Sequence, residues 1–279
     1  MKTAIVDAYR LAWHAMSRGL GRAGAIGLVV VVSLTTGLSA RAIAKHLATH
    51  DPLQQAQRTA KLFGQWFPAD VVARFADLPL LVVAVGLMLL ALNPWLGAGY
   101  AAKLDPRESN SGIRTASALA ATATVTVLAL IAAGAATCVA APGMMSAKYL
   151  LLFSQMAGIA VLASLPSVAV AIVVRNAFPG PRVGPYLALG AALGVRYGVP
   201  LLLSKDELAR WLVPRTYELG LLSSSTEKVM TMAALCVAWS VGLLVLADGV
   251  ARLGSWVSRR SVSAGGTRST LERASGSEV

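Results

Sequence analysis

The chain has 279 residues, of which 56% are hydrophobic and only 14% are charged. Soluble domains carry about 25% charged residues, so this composition excludes an ordinary soluble enzyme and predicts an all-α polytopic membrane protein. The net charge of +12 would suggest nucleic-acid binding in a soluble protein. Here the basic residues stand between apolar runs, where they act as orientation signals, and we expect no nucleic-acid partner.

Residues 1–22 predict an amphipathic helix that lies at the cytoplasmic membrane surface. Tyr9 and Trp13 recur at helical spacing on one face, while Arg10 and Arg18 share the opposite face. Such a helix places its aromatic rings at headgroup depth and its basic side chains toward anionic lipid. The alternative is an ordinary cytoplasmic extension of the first span.

Six largely apolar runs predict six transmembrane helices within residues 23–248. Arg196 lies inside the fifth run, and Glu227 and Lys228 stand at the start of the sixth. A bilayer core needs about 20 apolar residues in a helix. Pro142-Gly143 ends the third helix and makes a tight hairpin with the fourth. The predicted spans are approximately 23–40, 78–102, 115–140, 149–174, 183–203 and 226–247.

Six crossings place both termini on one side of the membrane. With both termini cytoplasmic, fourteen Lys and Arg residues lie inside and ten lie outside, which the positive-inside rule favours. The sequence therefore predicts cytoplasmic N and C termini.

Three segments outside the spans have their own signatures. Residues 41–76 predict an extracytoplasmic helical segment, because Asp51-Pro52 is typical of a helix start. Short helices are predicted within 204–225 from Ser and Glu at capping-box spacing. Residues 249–279 are basic and poor in apolar side chains, which predicts a disordered cytoplasmic tail.

Arg196 is the only charge well inside a predicted span, and such a charge is costly enough to be a functional candidate. It could bind an anionic group or face a polar cavity, to which Ser154 and Gln155 of the fourth span would contribute. The alternative is structural: Arg196 reaches the outer interface or pairs with Glu218 or Asp206.

Glycines recur every fourth residue along the fifth predicted span. Gly190, Gly194 and Gly198 therefore share one helix face, and small residues at that spacing let another backbone come close. The pattern predicts close helix packing on this face.

The chain offers few residues for chemistry of its own. It contains no phosphate-binding G-x-x-x-x-G-K-[ST] run, and we predict no catalytic residue. His46 and His50 could face one metal ion, although two solvated histidines are the simpler interpretation. Cys138 and Cys236 lie inside apolar runs, where cysteine packs as a small hydrophobic residue.

The layout resembles the permease subunit of type-2 ATP-binding cassette (ABC) exporters. The similar features are an interfacial N-terminal helix, six spans, an outer segment between the first two spans and short helices before the sixth. The cytoplasmic loop after the second span, Glu108-Ser-Asn-Ser-Gly112-Ile113, is similar to the family's pattern of a glutamate, three residues and a glycine. The family continues with a coupling helix, whereas here Arg114 passes quickly into the third span.

The resemblance implies a transport function in the bacterial cytoplasmic (inner) membrane. Two copies of the chain, or two related permeases, would work with separate P-loop ATPase subunits, which would bind the ATP and Mg that this chain does not bind itself. The cargo would be lipid-like, peptide or drug-like, and membrane lipids would be further partners. The residues that would couple the chain to its ATPase are Arg10, Arg18, Arg107, Glu108 and Gly112.

A different class of function also fits the sequence. A membrane scaffold or assembly factor would bind its partner through residues 41–76 and transport nothing. The glycine face described above would serve either class.

Overall fold

The computed structural model describes residues 2–47, 61, 64–65, 69–107, 109–199 and 219–275, and every regular element within these ranges is helical. A 3-10 turn, Pro142–Met144, joins the fifth and sixth helices, and a π-helix, Gly194–Gly198, follows the seventh. The α-helices are α1 (Lys2–Ser17), α2 (Leu20–Leu47), α3 (Ala69–Asp77), α4 (Leu80–Lys103), α5 (Ser111–Ala140), α6 (Ala147–Ala177), α7 (Gly184–Leu193) and α8 (Thr226–Ser275).

Five helical stretches within the described ranges are long and apolar enough to cross a membrane, which indicates a multi-pass membrane protein. They lie at five of the six predicted positions. The predicted fifth span is described only as far as Val199 and is not among them. The five stretches are Gly21–Lys45, Leu80–Lys103, Ser111–Ala140, Ala147–Ala177 and Thr226–Gly249.

Two helices, α4 and α6, form the centre of the bundle. In the most apolar 18-residue stretch of each helix, 56% is buried in α4 and 61% in α6. The corresponding shares are 22% in α2, 28% in α5 and 17% in α8. Gly97 of α4 makes this contact close, because a Cβ atom at Gly97 would lie 2.9 Å from Val168 Cγ2 and 3.4 Å from Ser164 Cβ. Small residues therefore bring the two central backbones together, as is usual between helices in lipid.

The interhelical contacts show that α4, α6 and α8 run parallel to one another. Along α4 and α6, Gly86 faces Met156 and Gly97 faces Val168, so these helices run the same way. Along α6 and α8, Cys236 contacts Leu162 and Ala247 contacts Asn176, so they also run the same way. The chain therefore returns from one end of the bundle to the other between α6 and α8.

Three distinct faces run along α1. Its packing face carries the buried Ala12 and Ala15 and contacts α5. A second face exposes Tyr9 and Trp13 by 65% and 69%, and a third is polar. Gly19, at a φ of 51°, makes the turn into α2, a conformation that glycine adopts without strain. The surface position of α1 in a membrane stays a prediction.

Two predicted boundaries change. The first span was predicted to end near residue 40, but α2 continues to Leu47. The tail over 249–279 was predicted to be disordered, whereas α8 continues to Ser275. No proline follows residue 214, so nothing in the backbone interrupts the helix once it has formed.

The predicted extramembrane helices lie mostly outside the described residues. Within 41–76 the structure describes the end of α2 and α3, which begins directly after Pro68. The helix predicted to start at Asp51-Pro52 and most of the segment 204–225 fall outside those ranges.

Polar contacts fasten α3 to the start of α8. Lys228 Nζ donates to Asp70 Oδ2 at 2.5 Å, and Arg74 Nη1 donates to the carbonyl oxygens of Leu221 and Ser223 at 3.3 and 2.9 Å. The hydrogen bond from Lys228 lowers the pKa of Asp70 below its ordinary value of 3.8. The ionised Asp70 carboxylate is therefore the form that holds α3 in place.

We expect this attachment to weaken in acid. A carboxyl group whose pKa is lowered in the folded state stabilises the fold above its ordinary pKa and loses that contribution as the pH falls through the folded value. Hydrogen exchange should show α3 amides protected at pH 7 and less protected below about pH 4. Asp70→Asn should be less protected at pH 7, with little further change in acid. Equal protection in Asp70→Asn and the wild type at pH 7 would contradict this role.

Replacing Gly97 should loosen the central helix pair. The leucine side chain of Gly97→Leu would collide with Val168 Cγ2 and Ser164 Cβ of α6. Overpacking of this kind costs about 1–3 kcal/mol. The free energy of unfolding, measured by denaturant titration in micelles, should fall by that amount. Gly158→Leu is the matched control, because no described atom lies within 4 Å of a Cβ atom at Gly158. A similar loss in both variants would argue against close packing at Gly97.

Candidate functional site

An apolar groove of about 600 Å³ runs between α2 and α7, with α4 as its floor. We call it the α2–α7 groove. Tyr186 on its rim is 70% exposed, so the groove opens to the side of the bundle. Its lining residues are Gly21, Gly24, Gly27, Leu28, Val31, Leu92, Trp95, Leu96, Gly99, Tyr100, Ala102, Lys103, Pro181, Pro185, Tyr186 and Leu189.

Glycines keep the groove open. Gly21, Gly24 and Gly27 are spaced three apart and face it from α2, and Gly99 faces it from α4. At Gly27 and Gly99 a Cβ atom would meet no described atom within 4 Å. Larger side chains at these two positions would therefore occupy the groove itself.

One end of the groove is basic. Among the described residues, Lys103 is the only charged one in the lining, and the Lys103 ammonium donates to the Arg18 carbonyl oxygen at 3.4 Å. This contact also joins the end of α1 to the end of α4. An ammonium group has three N–H donors, so Lys103 can bind a further acceptor.

An aromatic pair lies toward the other end of the groove. Trp95 Nε1 donates to Tyr197 Oη at 3.1 Å, and the two ring centroids lie 6.1 Å apart. Trp95 is 46% exposed and lines the groove. Trp95 therefore contributes one member of a hydrogen-bonded aromatic pair to the lining of the groove.

Arg196 lies next to Tyr197 and makes a hydrogen bond to the backbone of α4. It is buried, its guanidinium lies 5.4 Å from the Tyr197 ring centroid, and it donates to the Leu90 carbonyl oxygen at 2.9 Å. Pro94 has no N–H to donate to that carbonyl four residues earlier, so Arg196 supplies the missing donor. The sequence did not predict this structural contact, and the predicted role of Arg196 at a substrate or polar cavity stays a prediction. Its proposed partners Glu218 and Asp206 lie outside the described residues.

The second intrahelical proline has a similar neighbour. Pro166 cannot donate to the Leu162 carbonyl oxygen, and Cys236 Sγ of α8 lies 3.6 Å from that oxygen as a donor. In hydrocarbon, side chains of adjacent helices commonly satisfy such freed carbonyls. Cys236 therefore does more than fill space.

A polar cluster joins three helices at the end of the bundle where α5 begins. Arg114 donates to Asn176 Oδ1, Asn176 donates to the Ala247 carbonyl oxygen at 2.9 Å, and Ser111 donates to Asp248. Arg114 is 2% exposed. A displacement of the start of α5 would consequently pull on α6 and α8 through these hydrogen bonds.

The residues predicted to couple the chain to an ATPase are accessible where they are described. The side chains of Arg10, Arg18 and Arg107 and the backbone of Gly112 are exposed, and Glu108 lies outside the described residues. Gly112 belongs to the first turn of α5, which Asn110 caps by accepting from the Ile113 N–H at 2.8 Å.

The residues predicted for a polar cavity do not line the α2–α7 groove. Ser154 is exposed and donates to the Leu151 carbonyl oxygen of its own helix, and Gln155 is also exposed. Arg196 is directed at Leu90, and none of the three is a lining residue of the groove. A substrate role for them stays a prediction.

The predicted glycine face is open within one chain. No described atom lies within 4 Å of a Cβ atom at Gly190, Gly194 or Gly198. The close helix contacts instead use Gly86 and Gly97 of α4, which sequence reasoning missed because these glycines do not recur at a regular interval. Packing of the predicted face against another chain stays a prediction.

Metal binding finds no support among the described side chains, where no group of three His, Cys, Asp or Glu residues is close enough to hold an ion. His50 and the side chain of His46 lie outside that set. A comparison of the chain with models of known protein families and with curated proteins finds no match.

The partnership of Arg196 with Pro94 can be tested by a double-mutant cycle. Arg196→Met should lower the free energy of unfolding by about 1–3 kcal/mol, because the Leu90 carbonyl loses its donor. In a Pro94→Ala background the backbone N–H of the introduced alanine replaces that donor, so the same substitution should cost at least about 1 kcal/mol less.

The matched background is Pro166→Ala, which removes the other intrahelical proline and leaves Leu90 unchanged. Here Arg196→Met should cost as much as in the wild type. Unfolding in mixed micelles measures all six proteins, and an identical cost in the three backgrounds would show that Arg196 does not replace the missing N–H donor.

Proposed function

We propose that the chain is the permease subunit of an ABC exporter in the bacterial cytoplasmic membrane. Two copies, or a pair of related permeases, would work with separate ATPase subunits and move a lipid-like, peptide or drug-like substrate. ATP and Mg would be bound by the ATPase. The chain itself would supply the path through the membrane.

The contact between α1 and the end of α4 is the observation that carries this proposal. Lys103 donates to the Arg18 carbonyl oxygen, so α1 and the loop after α4 meet at one end of the bundle. Both were expected to receive the motion of an ATPase. Arg18 and Arg107 are exposed there, which suits a contact with a second protein.

The polar cluster gives such a contact a route into the bundle. A push on the loop after α4 would reach Ser111 and Arg114 at the start of α5, and their hydrogen bonds lead to α6 and α8. Rigid helices linked by polar contacts transmit displacement in this way.

The helix directions support six crossings. Because α6 and α8 run the same way, the chain between them has to return across the bundle, and α7 with its π-helix makes the described part of that return. Six crossings place both termini on one side. On the proposed orientation this side is the cytoplasm, where ATPase subunits bind.

Co-purification tests the proposal. The full chain, extracted from native membranes in mild detergent, should retain a stoichiometric P-loop ATPase. Arg107→Glu reverses an exposed charge in the loop and should reduce the retained ATPase at least tenfold. The control is Arg182→Glu, because Arg182 is an exposed arginine in the connector between α6 and α7, and it should keep the ATPase.

Two results would contradict the exporter. A preparation that retains no ATPase, or retains a different protein through residues 41–76, would support the scaffold. Equal retention by Arg107→Glu and Arg182→Glu would remove the loop from the contact.

A further inference from the structure

The length of the α2–α7 groove matches one leaflet of a bilayer. Its α2 wall extends from Gly21 to Val31 and its α4 floor from Leu92 to Lys103. At 1.5 Å per residue each side is about 15 Å long, which is half of the roughly 30 Å hydrocarbon core. The groove thus begins at the membrane surface near Lys103 and ends near the middle of the bilayer at Leu92.

The width of the groove suits a molecule with two hydrocarbon chains. A volume of about 600 Å³ over about 15 Å gives a mean cross-section of about 40 Å². Carbon atoms of neighbouring chains pack about 4 Å apart, so one extended chain fills about half of this section. Apart from Lys103, the lining is glycine, proline, aliphatic and aromatic residues.

The charge at the open end favours an anionic headgroup. The Lys103 ammonium lies in the lining, and no carboxylate pairs with it in the part of the chain that the structure describes. Arg22 and Arg182 are exposed sequence neighbours of lining residues at the same end. The nearest acidic residue in sequence, Asp105, accepts from the Arg107 N–H at 2.9 Å.

We propose that the α2–α7 groove binds one anionic, two-chain phospholipid from the leaflet on the Lys103 side. Its hydrocarbon chains lie along Gly24, Gly27 and Gly99, and its phosphate accepts from Lys103. Leu92 and Trp95 lie near the ends of these chains. This inference goes beyond the exporter and does not depend on it, because lipid binding requires no ATPase.

Native mass spectrometry of the full chain tests the proposal. The protein is purified in detergent and incubated with phosphatidylglycerol or with phosphatidylcholine. The wild type should retain one phosphatidylglycerol per chain in preference to phosphatidylcholine. Lys103→Gln should lower this preference about fivefold, the attraction that one basic side chain adds at a membrane surface, and Lys103→Arg should keep it.

Filling the groove should remove the lipid. Gly27→Phe places a ring where no described atom lies within 4 Å, so it should fold and lose lipid retention at least tenfold. Gly99→Leu fills the groove from α4 and serves as a second variant if Gly27→Phe does not fold. Gly158→Phe adds the same ring at an equally open position on α6, outside the groove, and should retain lipid as the wild type does.

Several outcomes would overturn the site. These are equal retention by Gly27→Phe and Gly158→Phe, equal retention of the two lipids by the wild type, or a chain isolated as a lipid-free dimer that Gly27→Phe separates. The last result would make a second copy the occupant. Arg107→Glu should leave lipid retention unchanged, so failure of the exporter proposal and failure of this one give different results.

Discussion

The structure depends on one constraint, which is that backbone polar groups inside hydrocarbon have no water to bind. Within the described helices α4 and α6 it is violated locally, since Pro94 and Pro166 each leave a carbonyl without its helical donor. The chain meets the constraint with side chains from neighbouring helices: Arg196 at Leu90 and Cys236 at Leu162. These contacts attach the π-helix after α7 to α4, and α8 to α6.

This pairing changes how a charge inside a span is interpreted. A buried charge in a membrane is a functional candidate because its burial is costly. Arg196 offsets that cost with a charged hydrogen bond and a contact with the Tyr197 ring, and it is directed away from the groove. Lys103, at a helix end where a basic residue is unremarkable, is the charged side chain that lines the α2–α7 groove among the described residues.

Sequence alone could predict the spans but not the site. Runs without charge are a one-dimensional signal, and they predicted five spanning stretches to within a few residues. The groove depends on which helices become neighbours, and nothing in the order of residues says that Gly27 of α2 faces Gly99 of α4 across open space. The tail was predicted from composition, which measures apolar content and not the absence of helix-breaking prolines. The sequence drew attention to Arg196, but the Leu90 carbonyl to which it donates lies 106 residues away.

The π-helix at Gly194–Gly198 lets one element face two directions. A regular α-helix turns about 100° per residue, and a wider turn resets the angle for everything that follows it. Before this turn, Tyr186 and Leu189 form a wall of the groove; within it, Arg196 is aimed at the central helix. A segment of fifteen residues can thus place apolar side chains along the groove and an arginine toward the central helices. In a regular α-helix these side chains would have to share one face.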